Sequence, residues 1–389
     1  MKVLLVHGSS TGGVGRHVAE VAAGIARAGH TVIVAAPPDA ADRLAVIGAT
    51  HPHPGPHGEP GFVPVDIADR PRGAADAKAV ATLRRLVRGA DVAHAHGLRA
   101  GAVTALALSS TRDGAIRKRS RGVRFVVTLH NLPMGDPRTR TIAAGLLTLI
   151  VTRADLVLGV SADLVDAAST AGARQVATAL VPAPVADPPD LDEVWRVRSE
   201  LLSYAEDPTG DVVVLVTVAR LARQKGLERL IEATALLRRQ LASDGRAVIC
   251  VIAGDGPLGP ALVHQADAVG APAVLLGARD DVPALLRAAD VVVLPSHWEG
   301  QPLVMQEALH AGAAVVATDV GGTAAVAGDA ALLVPPDSAP ALATAIADVV
   351  TTPGRLSDLR HRARIRAGEL PTQEQMIQQL VLRYRDLVR

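Results

Sequence analysis

The sequence predicts an α/β protein made of two doubly wound parallel-sheet domains, and three observations predict it. Short β-branched runs alternate with stretches of helical length along the whole chain. A proline cluster interrupts that alternation near the middle, and glycine-bearing loops follow strand-like runs where helical patterns begin. Strands spaced by helices imply parallel sheets covered on both faces.

In the first half the strand-like runs fall at residues 3–7, 31–35, 91–96, 124–129, 156–160 and 176–181, with helical patterns such as 14–28 and 75–88 between them. Residues 181–189 carry four prolines in nine positions and read as a linker, because such a run packs into neither helix nor sheet. After it the alternation restarts at 211–218 and continues through 248–253, 273–276, 291–294, 313–317 and 331–334, with a helical pattern at 227–240. The predicted organisation is a first domain at 1–182, a linker at 183–189, a second domain at 190–370 and a terminal helix at 371–389. In that helix Met376, Leu380, Tyr384 and Leu387 share helical spacing, which points to docking on the first domain. Ligands of open α/β sheets bind at the carboxyl ends of the strands, so a cleft between two such domains is the expected site.

The 389 residues are ample for packed cores, and the composition excludes several functions. Lys and Arg number 40 against 39 Asp and Glu, a balance that argues against a basic nucleic-acid binder and against an acidic disordered chain. Six aromatic residues are too few for single-strand binding by stacking. One cysteine, Cys250, cannot close a disulfide within the chain, and a reducing, cytoplasmic setting is expected. The apolar run after Lys2 is too short for a signal peptide, and Arg140 and Arg153 bracket the best candidate for a membrane span, so a soluble chain is expected. Only four lysines stand beside 36 arginines, which draws attention to Lys225.

Three loops carry the chemistry. The loop from Gly8 through Gly12, Gly13 and Gly15 follows a strand and opens a helix, where backbone N–H groups can approach an anion. No G-x-G-x-x-G register fits it and no acidic residue ends the next strand, so a nicotinamide-dependent dehydrogenase is disfavoured. Arg220 and Lys225 follow the strand at 211–218, where a planar fork and a compact ammonium can clamp a diphosphate and offset charge growing on it as a leaving group. A third loop carries Glu299 and leads into a helix with Pro302 in its first turn and Glu307 further along. The two carboxylates are spaced to hold different parts of one elongated ligand, and the free amides of Leu303 and Val304 can meet a phosphate.

Together these segments resemble the retaining GT-B glycosyltransferases of family 4. The resemblance runs from Gly12-Gly13-Val14-Gly15-Arg16-His17 through Ala154-Asp155 to Ser161, Arg220 with Lys225, Ala253-Gly254-Asp255-Gly256-Pro257 and Glu299 with Glu307, to Gly321-Gly322. It implies a GT-B fold, with two Rossmann-like domains facing a cleft that closes about the proline hinge. It further implies that Arg220 and Lys225 hold the donor diphosphate, that Glu299 touches the donor sugar, and that Glu307 binds the ribose hydroxyls. Gly12 and Gly13 would close over the diphosphate, Gly254 would line the donor site, and His130 would hydrogen-bond the sugar with its carbonyl near the anomeric carbon. Arg16, His96 and Asn131 are then assigned to the acceptor.

The expected activity is transfer of a sugar, with retained configuration, from a UDP- or GDP-sugar to a small-molecule, glycan or lipid-linked acceptor, with no cofactor and no required metal. Gln301 and Pro302 stand where many family members carry an aromatic residue and glycine, which leaves the donor sugar open. A nucleotide-sugar epimerase of the same architecture and a non-catalytic nucleotide-sugar-binding protein are the competing readings.

Three further groups call for an interpretation. His94 and His96 point to one face of a strand at a spacing seen in metal sites, with no third ligand evident nearby, while the loop bearing His51, His53 and His57 reads as a solvated loop that binds metal only adventitiously. Asp190-Leu191-Asp192 mimics a metal-binding D-x-D but stands at a helix start, where an N-cap is expected. The basic run from Arg112 to Arg124 would supply weak, salt-sensitive contact with an anionic membrane, at roughly 1 kcal/mol per residue, unless it is simply a solvated loop.

Overall fold

The computed structural model describes residues 1–9, 13–45, 47–49, 51–55, 58–109, 122–132 and 136–389. These divide into two compact units, one made of Met1–Val181 with Pro371–Arg389 and the other of Pro182–Leu370.

The first unit holds seven strands: β1 Lys2–His7, β2 Thr31–Ala36, β3 Gly61–Pro64, β4 Val92–His96, β5 Arg124–Leu129, β6 Leu156–Gly159 and β7 Val176–Thr178. All pair in parallel, in the order β3-β2-β1-β4-β5-β6-β7. The order reverses between β1 and β4, where His7 stands opposite His96. Residues Val3 to Val6 are all buried, as expected of a central strand covered on both faces.

One strand departs from the sequence reading. β3 lies in a Gly- and Pro-bearing stretch with little β signature, and it forms because it caps the open edge of β2, where Pro64 costs no internal ladder bond. β7 stops at Thr178, three residues short of the predicted end, and the chain then runs without regular structure through Asp190.

The terminal helix Gln373–Val388 opens on a capping box between Thr372 and Gln375 and packs within this first unit. Its Ile377 lies against Gly24 of the helix Gly13–Arg27, leaving no room for a side chain at that glycine. Gln379 reaches the end of the sheet, accepting from Leu180 N at 3.3 Å and donating to the Thr178 carbonyl at 3.3 Å. Tyr384 is fully buried, and its hydroxyl lies 2.6 Å from His94 Nδ1.

The second unit holds six parallel strands: β8 Val212–Val218, β9 Ala247–Ala253, β10 Ala273–Gly277, β11 Val291–Leu294, β12 Ala314–Thr318 and β13 Ala331–Val334. Their order is β10-β9-β8-β11-β12-β13, reversing between β8 and β11. Alternate residues feed two cores: Val214, Val216, Ile249, Val251 and Val292 on one face, and Val213, Leu215, Val248, Cys250, Ile252 and Val293 on the other. Burial pushes the Cys250 thiol up to about 12 and makes it an inert packing group.

Asp190 caps the helix Leu191–Leu202 by accepting from Glu193 N at 2.6 Å, which accounts for the D-x-D lookalike. No helix among the described residues is long and apolar enough to cross a membrane.

Candidate functional site

In the second unit the predicted donor residues collect where the strand order reverses, the place at which open parallel sheets leave a crevice for ligands. Beyond β8 the chain runs past exposed Arg220 into a short turn, Arg223–Lys225, that Gly226 ends in left-handed conformation before the helix Leu227–Ala242. Beyond β11 lies the loop bearing Glu299. The two loops are stitched together: His297 N donates to the Gln224 carbonyl at 2.9 Å, and Gln224 Nε2 donates to the Trp298 carbonyl at 2.9 Å.

That stitching brings Lys225 Nζ to 2.5 Å from Glu299 Oε1, with both side chains largely shielded. The same oxygen accepts from Ser296 Oγ at 2.6 Å, and Ser296 is held in turn by Thr318 Oγ1, which donates to its carbonyl at 2.5 Å. Glycine at two positions makes the arrangement possible. Gly226 (φ +59°) packs onto the Pro295 carbonyl and Gly321 (φ +53°) onto the Glu299 carbonyl, so closely that a Cβ would overlap either oxygen. Gly322 N donates to that same Glu299 carbonyl at 2.9 Å.

The helix Leu303–His310 starts one residue later than predicted: Pro302 is its N-cap, in extended conformation, rather than part of its first turn. Its fixed φ and missing N–H suit that boundary, and the helix begins with the amides of Leu303 and Val304, which have no acceptor among the described residues. Glu307 is half-buried about one turn further along. Gly254 stands at the end of β9, but its N–H already donates to the Gly277 carbonyl at 2.7 Å and is not available to an anion.

In the first unit, Gly12 lies outside the described residues, while Gly13 begins the helix Gly13–Arg27. Arg16 is exposed on that helix and His17 is buried beside it. His130 follows β5 directly and is half-buried, next to exposed Asn131. His96 and His130 stack with ring centroids 5.5 Å apart, and His96 Nδ1 lies 3.2 Å from His130 Nε2. His17 meets both rings edge-on, with centroids at 5.6 and 5.4 Å.

The spacing of His94 and His96 points to a two-histidine pair without a third partner, and the structure corrects that picture. His94 is committed to the core, bonded through Nδ1 to Tyr384 and through Nε2 to Thr128 Oγ1 at 2.7 Å. His96 instead gathers His17 and His130, two residues drawn in by topology from distant parts of the sequence. Desolvation lowers the pKa of His17 to about 4 and of His94 to about 3, and holds His96 and His130 well below the usual imidazole range, so all four rings are neutral near pH 7.

Of the basic run at 112–124, only Arg124 lies among the described residues, in β5, with its guanidinium 3.8 Å from Asp155. His57 also lies outside them.

Two doubly wound parallel sheets, each gathering polar side chains where its strand order reverses, place the chain in the GT-B class of folds. The chain belongs to the group 1 glycosyltransferases: residues 12–184 match the glycosyl transferase 4-like domain and residues 212–352 match the glycosyl transferases group 1 model. It is 33% identical over 167 residues to an alpha-D-kanosaminyltransferase of Streptomyces kanamyceticus, covering 41% of either chain. To the D-inositol 3-phosphate glycosyltransferase of Jonesia denitrificans it is 33% identical over 188 residues, covering 46% of this chain and 42% of the other. The chain thus spans about two fifths of the length of these curated relatives. Among solved structures, HepE of Anabaena in complex with UDP and glucose superposes over 100% of both chains with a TM-score of 0.77 at 21% identity. The sucrose-phosphate synthase of Thermosynechococcus elongatus covers 100% of this chain with a TM-score of 0.76 at 20% identity.

Proposed function

We propose that the protein is a retaining glycosyltransferase that moves a sugar from a nucleoside-diphosphate sugar to an acceptor hydroxyl. The observation that carries this reading is the meeting of Lys225 and Glu299 beyond β8 and β11, in the loop that leads into the helix Leu303–His310, whose first two amides have no acceptor among the described residues. An ammonium, an exposed guanidinium at Arg220 and two oriented N–H groups form an electrostatic cradle for a diphosphate whose charge grows as the sugar departs. Glu299, oriented by Ser296, is placed to hold sugar hydroxyls, and Glu307 to hold the ribose. The family resemblance assigns His130 to the donor sugar, and the lowered pKa keeps its ring neutral there, able to donate from one nitrogen and accept at the other. The departing phosphate then takes the acceptor proton.

The UDP bound by the Anabaena neighbour supports a UDP-sugar donor, with a GDP-sugar as the other choice. The relatives' names support a small-molecule or glycan acceptor, and a lipid-linked one is supported by the UDP-Gal:alpha-D-GlcNAc-diphosphoundecaprenol alpha-1,3-galactosyltransferase of Escherichia coli, 37% identical over 113 residues that cover 28% of either chain. Transfer needs no cofactor and no metal on this reading, and a cytoplasmic setting fits the nucleotide donor.

The test is product analysis with each nucleotide sugar, alone and with an acceptor panel. Release of nucleoside diphosphate, with the sugar linked to the acceptor in the anomeric configuration it had in the donor, supports transfer. Conversion of the donor without nucleotide release would make the protein an epimerase, and binding without turnover on any acceptor would make it a binding protein.

A further inference from the structure

The histidine cluster of the first unit contains more ligand chemistry than the proposed transfer uses. His17, His96 and His130 come from three elements, the helix Gly13–Arg27, β4 and the segment just after β5. Each offers one ring nitrogen, and these nitrogens all lie within 4.8 Å of one another. Two bonds fix the neighbouring His94 to Tyr384 and Thr128 and leave it outside the group. By contrast, His17 Nδ1 and His96 Nε2 are buried without a hydrogen-bond partner among the described residues. For His17 this leaves a buried ring nitrogen that the described fold does not use, whereas for His96 the unpaired atom is Nε2, the nitrogen other than the one beside His130, so that His96 would meet an ion through Nδ1.

Geometry supports the same conclusion. Two ligands about 2.0–2.1 Å from a tetrahedral zinc ion stand about 3.3 Å apart. His96 Nδ1 and His130 Nε2 already stand 3.2 Å apart, so an ion can enter between them with little movement of either ring once the proton they share has moved to the other nitrogen of the ring that carries it, His96 Nε2 or His130 Nδ1, which keeps both imidazoles neutral. His17 completes the set by a small rotation inside the 4.8 Å limit. The rings are desolvated and neutral, the form in which imidazole binds metal. His130 is the one member of the three that is not fully buried, and so marks the side from which an ion would enter. Three neutral imidazoles with an open fourth position suit zinc, cobalt, nickel or copper rather than magnesium or calcium, which prefer oxygen.

We propose that His17, His96 and His130 form a three-histidine transition-metal site, of the class that takes Zn²⁺ or Co²⁺ with one coordination position open. The site is no requirement for transfer. Because the proposed function places His130 at the donor sugar, a bound ion competes with the donor there, a consequence that rests on that reading while metal binding itself does not.

The experiment strips the full chain with EDTA and titrates it with Co²⁺, following visible d–d absorption, and then with Zn²⁺. One equivalent of Co²⁺ is expected to give tetrahedral-type bands that Zn²⁺ abolishes. His17→Gln and His96→Gln should each weaken binding at least about a hundredfold, since even outer-shell changes cost 10–100-fold. The double variant His51→Ala/His53→Ala should bind like the parent. Imidazole nitrogen NMR of the unmutated chain gives a readout independent of variant folding, in which Zn²⁺ shifts the signals of these three histidines and leaves those of His94 bound to Tyr384. Absence of the bands, or bands that survive both Gln variants and vanish in the His51/His53 variant, would overturn the site. Saturating Zn²⁺ should slow transfer at least tenfold, with recovery on chelation. Stoichiometric binding without inhibition would overturn the competition with donor alone, transfer that appears only on metal loading would overturn the statement that the site is not required, and failure of transfer in both the metal-free and the loaded protein would bear only on the proposed function.

Discussion

Lys225 and Glu299, 74 positions apart in sequence, meet at 2.5 Å because β8 and β11 are neighbours and each is followed by a loop that the other holds in place. Their pairing sets each charge against the other, and on the proposed function a diphosphate entering beside them would take Lys225 as its own counter-charge. Ser296 Oγ donates to the same Glu299 oxygen at 2.6 Å, a hold on the carboxylate that does not depend on the lysine.

Lys225→Ala should therefore remove donor binding while leaving the fold intact. The parent, at a donor concentration 100 times its Kd, gains about 2.7 kcal/mol and melts several degrees higher. The variant should show no such shift, and its kcat/KM should fall by at least about a hundredfold, the usual cost of losing one donor to developing charge. A ligand-induced shift equal to the parent's would remove Lys225 from the proposed donor site. Thermal scans with UDP, GDP and their sugars decide it.

Gly321→Ala tests whether the Glu299 loop needs its glycine. The new methyl group would fall on the Glu299 carbonyl at a residue with φ of +53°, so strain of about 1–3 kcal/mol is expected together with displacement of the carboxylate. The donor KM should rise more than tenfold in a protein that still folds. Unchanged kinetics would show that Glu299 is held independently of Gly321.

Stability should fall on acidification between pH 6.5 and about 4. His17 and His94 stay neutral in the folded chain down to about pH 4 and 3, whereas in the unfolded chain they protonate near 6.5. Their contribution is complete above pH 6.5 and is lost as pH falls toward the folded values, at up to about 1.4 kcal/mol per pH unit for each ring. Melting temperatures measured from pH 7.5 to 4.5 should show this slope, and His94→Gln should flatten it while lowering the value at pH 7.5. A melting temperature independent of pH over that range would mean that these rings are not desolvated.

Tyr384→Phe isolates the bond that ties the terminal helix to the sheet. Phenylalanine keeps the ring packing and leaves His94 Nδ1 without its partner, at a cost of about 1–3 kcal/mol. Chemical denaturation should register that loss, with the slope against denaturant unchanged. Removing residues 371–389 altogether should prevent the first unit from folding, since Met376, Leu380 and Tyr384 belong to its core.

Much of the fold is legible residue by residue. β5 and β11 fall at the predicted 124–129 and 291–294, because a strand buried on both faces carries apolar residues at consecutive positions, here Phe125 to Val127 and Val291 to Leu294. Asp190 is legible as a cap for a similarly local reason, as its side chain bonds a backbone amide three residues on. β3 is not legible, since an edge strand is held by its neighbour's ladder and needs little signature of its own. The residue types of the candidate donor loops are also written locally, in Arg220, Lys225 and Glu299 after strands.

By itself, then, the sequence determined the alternation of strands and helices, the restart after the proline cluster and the residue types at the strand ends, because each depends on interactions within a few positions. Only the tertiary structure decided which of those residues meet. The strand order reverses once in each sheet, and the reversal between β8 and β11 sets Lys225 against Glu299. The reversal between β1 and β4 opens the crevice in which His17 and His130 close on His96, while His94, two residues earlier on the same strand, turns to Tyr384. Such contacts depend on strand order and register over tens to hundreds of residues, and no local periodicity carries that information.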